Sequence, residues 1–459
     1  MMKFKSSWTE YVLFLAIVIF GAVMSYYSIL RHNTFSSSFD LANMDQTVWN
    51  TSQGRFFSLS GNTGTVSRIG LHADLLLALL APLFWLWPKV EVLLILQSFI
   101  VGFGALAVYL IGKSVLGNRM KAVTVSFAYL INAGVMWSVM YDFHPVTLAA
   151  TFLLFAFYFA LEKRDNWLFL FLILSLLTKE SVGMFVFMIG LFIYFLQKRR
   201  IGLLVSILGA LWTVSMIYWL MPKFSVVGEH WAWGWFRFKN SKQLFDRVFS
   251  PESEVYLKIL FKQFGFLPLA GLPLILLSAP DLALNMLSAQ GQMRSIFFHY
   301  DALVVVGLVL AAIYGWKILD KLFIKNMHLQ WIPGIVMLAF ALRTNYHYSP
   351  LPYTPSHWRP MYEITETDKE FDSILKKIPI EASITSSSEI RPHVTHRENS
   401  FNLPNMVGKT DYVAIIDQNR IVGDHGPKKF EMELIERLIA DEEYTLEYQK
   451  GHFYLFKRN

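Results

Sequence analysis

The sequence predicts an all-α polytopic membrane bundle of about 9–11 spans, followed by a small α/β domain outside the bilayer. Three observations predict it. Hydrophobic residues make up 54% of the 459-residue chain and charged residues only 16%, against about 25% charged in an average soluble domain. The apolar residues gather in long runs, and the composition changes near Arg343, beyond which no run is long enough to span. This balance excludes a disordered chain and argues against a soluble enzyme. Cysteine is absent, which removes disulfides, thiolate nucleophiles and cysteine metal ligands.

Residues 11–30 carry no charge, enough at about 1.5 Å per residue to cross a ~30 Å hydrocarbon core. They lack a small-residue cleavage site, so they read as a first span and not a signal peptide. Further apolar runs cover 92–111, 122–140, 146–161, 167–177, 182–196, 201–221, 256–288, 302–316 and 331–342. The chain carries 41 Lys+Arg against 34 Asp+Glu, a net charge of +7. The basic residues cluster beside the runs: Lys3 and Lys5; Lys113, Arg119 and Lys121; Lys163 and Arg164; Lys198, Arg199 and Arg200; Lys317, Lys321 and Lys325. That pattern suits cytoplasmic loops, and no nucleic-acid partner is expected. All five clusters share one face only if 75–87, short and punctuated by Pro82 and Pro88, does not cross. The same parity requires 256–288 to fold back, with Gly271-Leu272-Pro273 as the expected turn. The N-terminus is then cytoplasmic, and the loop 31–74 and residues 343–459 lie outside. The expected division is a transmembrane domain over 1–342 and an extracytoplasmic domain over 343–459. In the latter, 382–387 and 412–416 read as strands, 428–440 as an amphipathic helix, and 444–448 with 452–457 as a hairpin around Gly451.

The first outward loop holds the densest set of chemical groups. Ser36-Ser37-Ser38 caps a helix opening with Phe39-Asp40. Leu41, Met44 and Val48 form its apolar stripe, while Asp40, Asn43, Thr47 and Asn50 form a polar one, expected to face a cavity. Asp40 and Asp45 are candidate acids, or helix-capping groups only. Arg68, His72 and Asp74 follow in the same loop. They read as a cation and histidine that would stabilise a phosphate, or as a structural Arg68–Asp74 ion pair. Asp142 and His144 sit at a turn before Pro145, spaced so that both can face one cavity. Lys179 and Glu180 interrupt two apolar runs, where charge is costly and marks function or a tight turn. Trp231, Trp233 and Trp235 read as a headgroup-level aromatic belt. Arg294 and His299 fall near the ambiguous fold-back as possible phosphate contacts. No P-loop or dinucleotide fingerprint occurs, so no nucleotide-dependent chemistry is expected. No metal site is assigned.

Several spaced motifs together resemble a widespread family of prokaryotic multi-pass membrane proteins. They are Phe39-Asp40-Leu41 with Asp45-Gln46 and Trp49-Asn50, Gly70-Leu71-His72, Leu83 to Gln97, Asp142-Phe143-His144-Pro145 and Lys179-Glu180. Leu277-Ser278-Ala279-Pro280, His299-Tyr300, the segment from Ala382 to Arg391-Pro392-His393, and Asp411-Tyr412-Val413 also fit. Many relatives carry Asp after Lys-Glu, where this chain has Ser181. The family is similar to the GT-C glycosyltransferases, the group of protein O-mannosyltransferases and lipid A aminoarabinose transferases. The resemblance implies a cytoplasmic-membrane enzyme, an outward active site, a polyprenyl-phosphate sugar donor and a catalytic acid in the first outward loop. Asp40 matches that acid, with Asp45 as fallback, and His72 and Asp74 match the cavity lining. A glycan, lipid or protein would be the acceptor, membrane lipid a further partner, and a divalent cation is left open. Two other functions fit the composition: a transporter or flippase of a lipid-linked sugar, with Lys179-Glu180 lining its path, and an assembly subunit whose C-terminal domain binds a partner. Asp40, His72 and Asp74 gathering at one cavity would favour the enzyme, and a continuous polar path the transporter.

Overall fold

The computed structural model describes residues 8–61, 64–322, 328–355, 358–420 and 426–459. Lys3, Lys5 and Lys325 lie outside the described residues. The chain is a membrane-type helical bundle joined to a small mixed sheet. Helix α1 (Trp8–Asn33) leads through a buried turn to α2 (Phe39–Ser52), a short hairpin of β1 (Ser58–Gly61) and β2 (Gly64–Ser67), and α3 (Leu76–Leu86). Next come α4 (Glu91–Leu116), α5 (Arg119–Leu130), α6 (Ala133–Met140), α7 (Pro145–Leu161), α8 (Asp165–Leu176), α9 (Val182–Phe195) and the continuous helical run α10 (Ile201–Phe224). The bundle is completed by α11 (Ser241–Val248), α12 (Pro251–Lys262), α13 (Ala279–Leu287), α14 (Ala302–Leu322) and α15 (Ile332–Tyr348).

Among the described residues, four helices are long and apolar enough to cross a bilayer: Trp8–Asn33, Glu91–Leu116, Ile201–Phe224 and His299–Leu322. The run 122–140 makes a fifth span only as a pair bent by 47°. Asn132 causes the break: its side chain accepts from the Val135 N–H at 3.0 Å and restarts the helix as an N-cap, the alternative to helix continuation that Asn side chains offer. The remaining apolar helices have 10–17 residues, and α3, with 11 residues, has the shortness expected of a segment that does not cross.

In 256–288 the chain leaves α12 at Gly265 and Phe266, both at φ 60°, ahead of the expected turn. Gly265 suits that left-handed conformation, and a Cβ there would come within 3.0 Å of the Met337 Cα. From Leu272 to Ser278 the backbone is 3-10 before α13 begins.

Helix α4 is central, packed on α1, α5 and α7, and α14 lies along α7. Helices α9 and α10 approach through glycines: a Cβ on Gly183 would sit 2.4 Å from the Gly209 carbonyl oxygen. Small residues permit such contact where lipid supplies no hydrophobic drive between helices.

Helix α15 carries on through Arg343 to Tyr348, past the compositional boundary. Beyond it, α16 (Glu366–Leu375) and α17 (Lys429–Ile439) flank a sheet of order β4-β3-β5-β7-β6. Strand β3 (Ile384–Ser386) is parallel to β4 (Ser400–Asn402) and to β5 (Tyr412–Ile416). Strand β7 (Phe453–Arg458) is antiparallel to β5 and forms the expected hairpin with β6 (Tyr444–Lys450). Phe35, from the turn after α1, is buried in this domain's core with Phe371, Ile384, Ile390 and Phe453. The first loop and the C-terminal domain therefore pack as one layer on the bundle.

Candidate active site

Helix α2 starts because Ser38 caps it, its hydroxyl accepting from the Asp40 N–H at 3.2 Å. Asp40 falls in the first turn, where an acid suits the unpaired N–H groups. Ser38 is held in turn by Asp142, whose Oδ2 accepts from its N–H at 3.0 Å and from its hydroxyl. Asp142 is also paired with Arg31 at the end of α1, 2.7 Å away and fully buried. Asp142 thus anchors the cap and does not line a cavity.

His144 takes the other direction. Asp142 adopts a left-handed φ of 56°, which Asp tolerates better than most residues. Pro145 then holds His144 extended (φ −137°, ψ 123°), as the residue before proline prefers. Gln97 on α4 fixes the turn, donating to the Val139 and Asp142 carbonyls at 2.9 and 2.7 Å and accepting from the His144 N–H at 2.9 Å. The His144 Nε2 lies 3.7 Å from Asp40 Oδ2, and its ring stacks on His299 at 3.6 Å. The sequence spacing let Asp142 and His144 share a cavity; the left-handed turn separates them.

The Asp40 side chain keeps 27% of its surface exposed. Burial pushes its carboxyl up, but the hydrogen-bonding and charge of His144, with Arg68 and His72 behind, hold it below the usual carboxylate range. Asp40 is therefore an ionised, accessible carboxylate with a histidine beside it.

Next to it, Arg68 donates from Nε (2.8 Å) and Nη2 (2.5 Å) to Asp74 Oδ2, both side chains buried. The structural pairing read as one alternative is thus present. His72 Nδ1 lies 2.9 Å from Glu180 Oε1, the Ala73 N–H donates to Oε2 at 3.1 Å, and His230 Nε2 lies 3.5 Å from Oε1. Burial works against ionisation of Glu180, yet His72 and His230 hold its carboxyl well below the ordinary range. Burial also lowers His72, against the opposing pull of Glu180. The three ligand atoms of His72, Glu180 and His230 all lie within 4.8 Å of one another, a donor set suited to a zinc-type ion. His230 Nδ1, however, accepts from the Ala232 N–H at 3.1 Å, which commits its Nε2–H to Glu180. As arranged, the group is a hydrogen-bonded hub joining the first loop, the turn after α8 and the loop after α10. Trp231 belongs to the same joint: its Nε1 donates to the Leu71 carbonyl at 2.8 Å and its ring meets His72 edge-on at 5.5 Å.

Asp45 points elsewhere. Its carboxylate accepts from the Thr395 hydroxyl and lies 3.0 Å from His396 Nε2. The polar stripe of α2 faces the C-terminal domain with it: Arg391 donates to Asn43 Oδ1 at 2.7 Å and to Gln46 Oε1 at 3.1 Å. Thr47 and Asn50 bond within the first loop instead, to the Asn43 and Ser58 carbonyls, and Asp40, at the helix start, is left beside His144. Arg294 donates to the Ser288 carbonyl at 2.6 Å, and its charged neighbours are Arg247 and Glu252. Gln97 and Tyr300 are marked in the sequence only as ends of the motifs Leu83 to Gln97 and His299-Tyr300, without a role, and His230 is not marked at all. A lone Gln inside an apolar run was the one available signal for Gln97. His230 is brought in only by tertiary packing.

A family model described as a predicted membrane protein (DUF2079) matches residues 31–454. The chain belongs to this family. No curated protein matches it. Among solved structures, ArnT from Cupriavidus metallidurans bound to undecaprenyl phosphate superposes with a TM-score of 0.58 at 11% identity, covering 96% of this chain and 97% of that one. ArnT from the same organism in the apo state gives a TM-score of 0.55 at 11% identity, with 98% of each chain covered. The likeness establishes the fold: this member of the DUF2079 family has the GT-C-like architecture that the motifs implied.

Proposed function

We propose that the chain is an integral glycosyltransferase of the cytoplasmic membrane, moving a sugar from a polyprenyl-phosphate donor to an acceptor outside the cytoplasm. The observation that carries this reading is the partly exposed, ionised Asp40 beside His144, at the end of the bundle where Arg68 and His72 also gather. Undecaprenyl phosphate bound to ArnT, a protein of the same fold, supports the donor class. Residues 1–342 would form the transmembrane part and 343–459 the extracytoplasmic one, with the N-terminus cytoplasmic.

In this mechanism Asp40 takes the proton of an acceptor hydroxyl as its oxygen attacks the anomeric carbon. The bond from that carbon to the phosphate oxygen breaks on the opposite face, the electron pair leaves with the polyprenyl phosphate, and the configuration inverts. General-base help contributes about 10²–10⁴ in rate. With its Nε2–H turned to Glu180, His230 offers no lone pair to a divalent cation, so the His72–Glu180–His230 group is assigned no metal.

The test is transfer by the purified protein in bilayers supplied with a panel of undecaprenyl-phosphate sugars. Wild-type protein is expected to release undecaprenyl phosphate, and Asp40→Asn to lose that activity while folding normally. Near-normal transfer by Asp40→Asn would remove Asp40 from the mechanism.

A further inference from the structure

Behind the His144–His299 stack lies a hollow of about 50 Å³ whose polar lining includes Lys179, Ser181, Asp281, Asn285, His299 and Tyr300. Two of these side chains are more than nine-tenths buried and hold a polar atom with no partner among the described residues: Asp281 Oδ2 and His299 Nδ1. Lys179 is half-buried, and among the described residues its ammonium forms no ion pair. Asn285, by contrast, is already spent, donating to the Tyr256 hydroxyl at 2.9 Å and the Tyr300 carbonyl at 3.1 Å. A buried carboxylate oxygen and a cation that share a hollow without pairing are each costly, so the arrangement calls for a ligand that answers both.

A simple anion would satisfy Lys179 and leave Asp281 unmet, and a simple cation would do the reverse. A hydroxyl answers both, since it carries one donor hydrogen and two acceptor lone pairs. The size is sufficient, since a cavity needs only about 10–15 Å³ of such space to hold one water-sized group, and so a hydroxyl. It lies one ring stack from Asp40, because His299, which lines it, stacks on the histidine beside that acid.

Resting on the transferase reading, we propose that this hollow selects the sugar: Asp281 Oδ2 accepts from, and Lys179 Nζ donates to, hydroxyls on one edge of the transferred hexose. A site built to bond a hydroxyl discriminates strongly against an analogue lacking it, because its buried polar groups are then left unpaired.

The experiment compares binding of undecaprenyl phosphate with binding of undecaprenyl-phosphoryl glucose, mannose and galactose, using wild-type protein, Asp281→Asn and Lys179→Met in nanodiscs. Wild type should bind at least one sugar-bearing lipid more tightly than undecaprenyl phosphate. Each variant should lose about 10–100-fold on that lipid and keep its affinity for undecaprenyl phosphate, which also reports that it is folded. Equal loss on both lipids, or loss on neither, overturns the assignment. If one variant does not fold, the other decides. Wild type binding undecaprenyl phosphate but no sugar-bearing lipid more tightly overturns the sugar pocket and leaves the transferase reading standing. Binding of none of these lipids by wild type overturns both.

Discussion

The start and the middle of α2 carry acids five positions apart, and the fold treats them in opposite ways. Asp40 sits at the cap, partly open, with His144 3.7 Å away and no closer ion-pair partner among the described residues. Asp45 sits one turn further on, only 1% exposed at its side chain, and bonds to Thr395 and His396. Around Asp45, Asn43 and Gln46 are met by Arg391, so the middle of the helix is a docking strip for the C-terminal domain. Two carboxylates that look alike in sequence thus differ in what they are free to do. A saturated acid stabilises an interface, while an acid left with one loose partner remains available to a substrate.

The sharpest way to break this contrast is to remove each charge in turn. Asp40→Asn should lower transfer by about 10²–10⁴ without altering the melting temperature. Asp45→Asn should do the opposite, keeping transfer and lowering stability by about 1–3 kcal/mol. Transfer assays and melting curves on the pair decide the matter, and the contrast is lost if Asp45→Asn is the inactive one. Arg391→Leu tests the strip itself. It strips Asn43 and Gln46, and the Ser400 carbonyl 3.0 Å from its Nε, of a buried charged donor, and should cost about 1–3 kcal/mol, read as early protease cleavage of residues 388–400.

A smaller effect separates the two acids by pH. His144 holds the Asp40 carboxyl low against the upward push of burial, so the acidic limb of the pH–rate profile should lie below the ordinary carboxylate range near 3.9. In His144→Ala that limb should move up, so that transfer fails earlier on acidification; an unmoved limb would detach His144 from Asp40. Beside Asp45, burial opposes protonation of His396 but Asp45 outweighs it, and the net direction is upward. A raised histidine contributes stability that is complete below its unfolded value of about 6.5 and is lost as pH rises through the folded value. Protection factors at 395–397, with the intrinsic pH dependence of amide exchange divided out, should therefore fall on alkalinisation, and that fall should vanish in Asp45→Asn.

Much of the fold was legible. Residues 412–416, a run of buried apolar and aromatic side chains, form a strand with those bounds, and the 444–457 hairpin turns at Gly451, φ 57°. Strand β4, three residues long, and α16, whose buried residues are only Asp368, Phe371 and Leu375, carry too little periodic signal to be read. The site was legible in part. The motifs around Asp40, His72, His144 and Glu180 named loops that the fold brings to one end of the bundle. Which of them face one another was not readable, because Asp142 turns away on a left-handed residue and Arg68 is taken up by Asp74.

The sequence by itself determined that this chain lives in a membrane, that its tail folds outside the helical bundle, and which loops hold polar groups too costly to be idle. Those are consequences of local composition and periodicity, which each segment carries within itself. Only the tertiary structure decided which acid stays free, that Phe35 belongs to the core of the distant C-terminal domain, and that Lys179 and Asp281 share a hollow without pairing. Such outcomes depend on contacts between segments hundreds of residues apart, and on how many partners each buried polar atom finds there; no local pattern encodes that count.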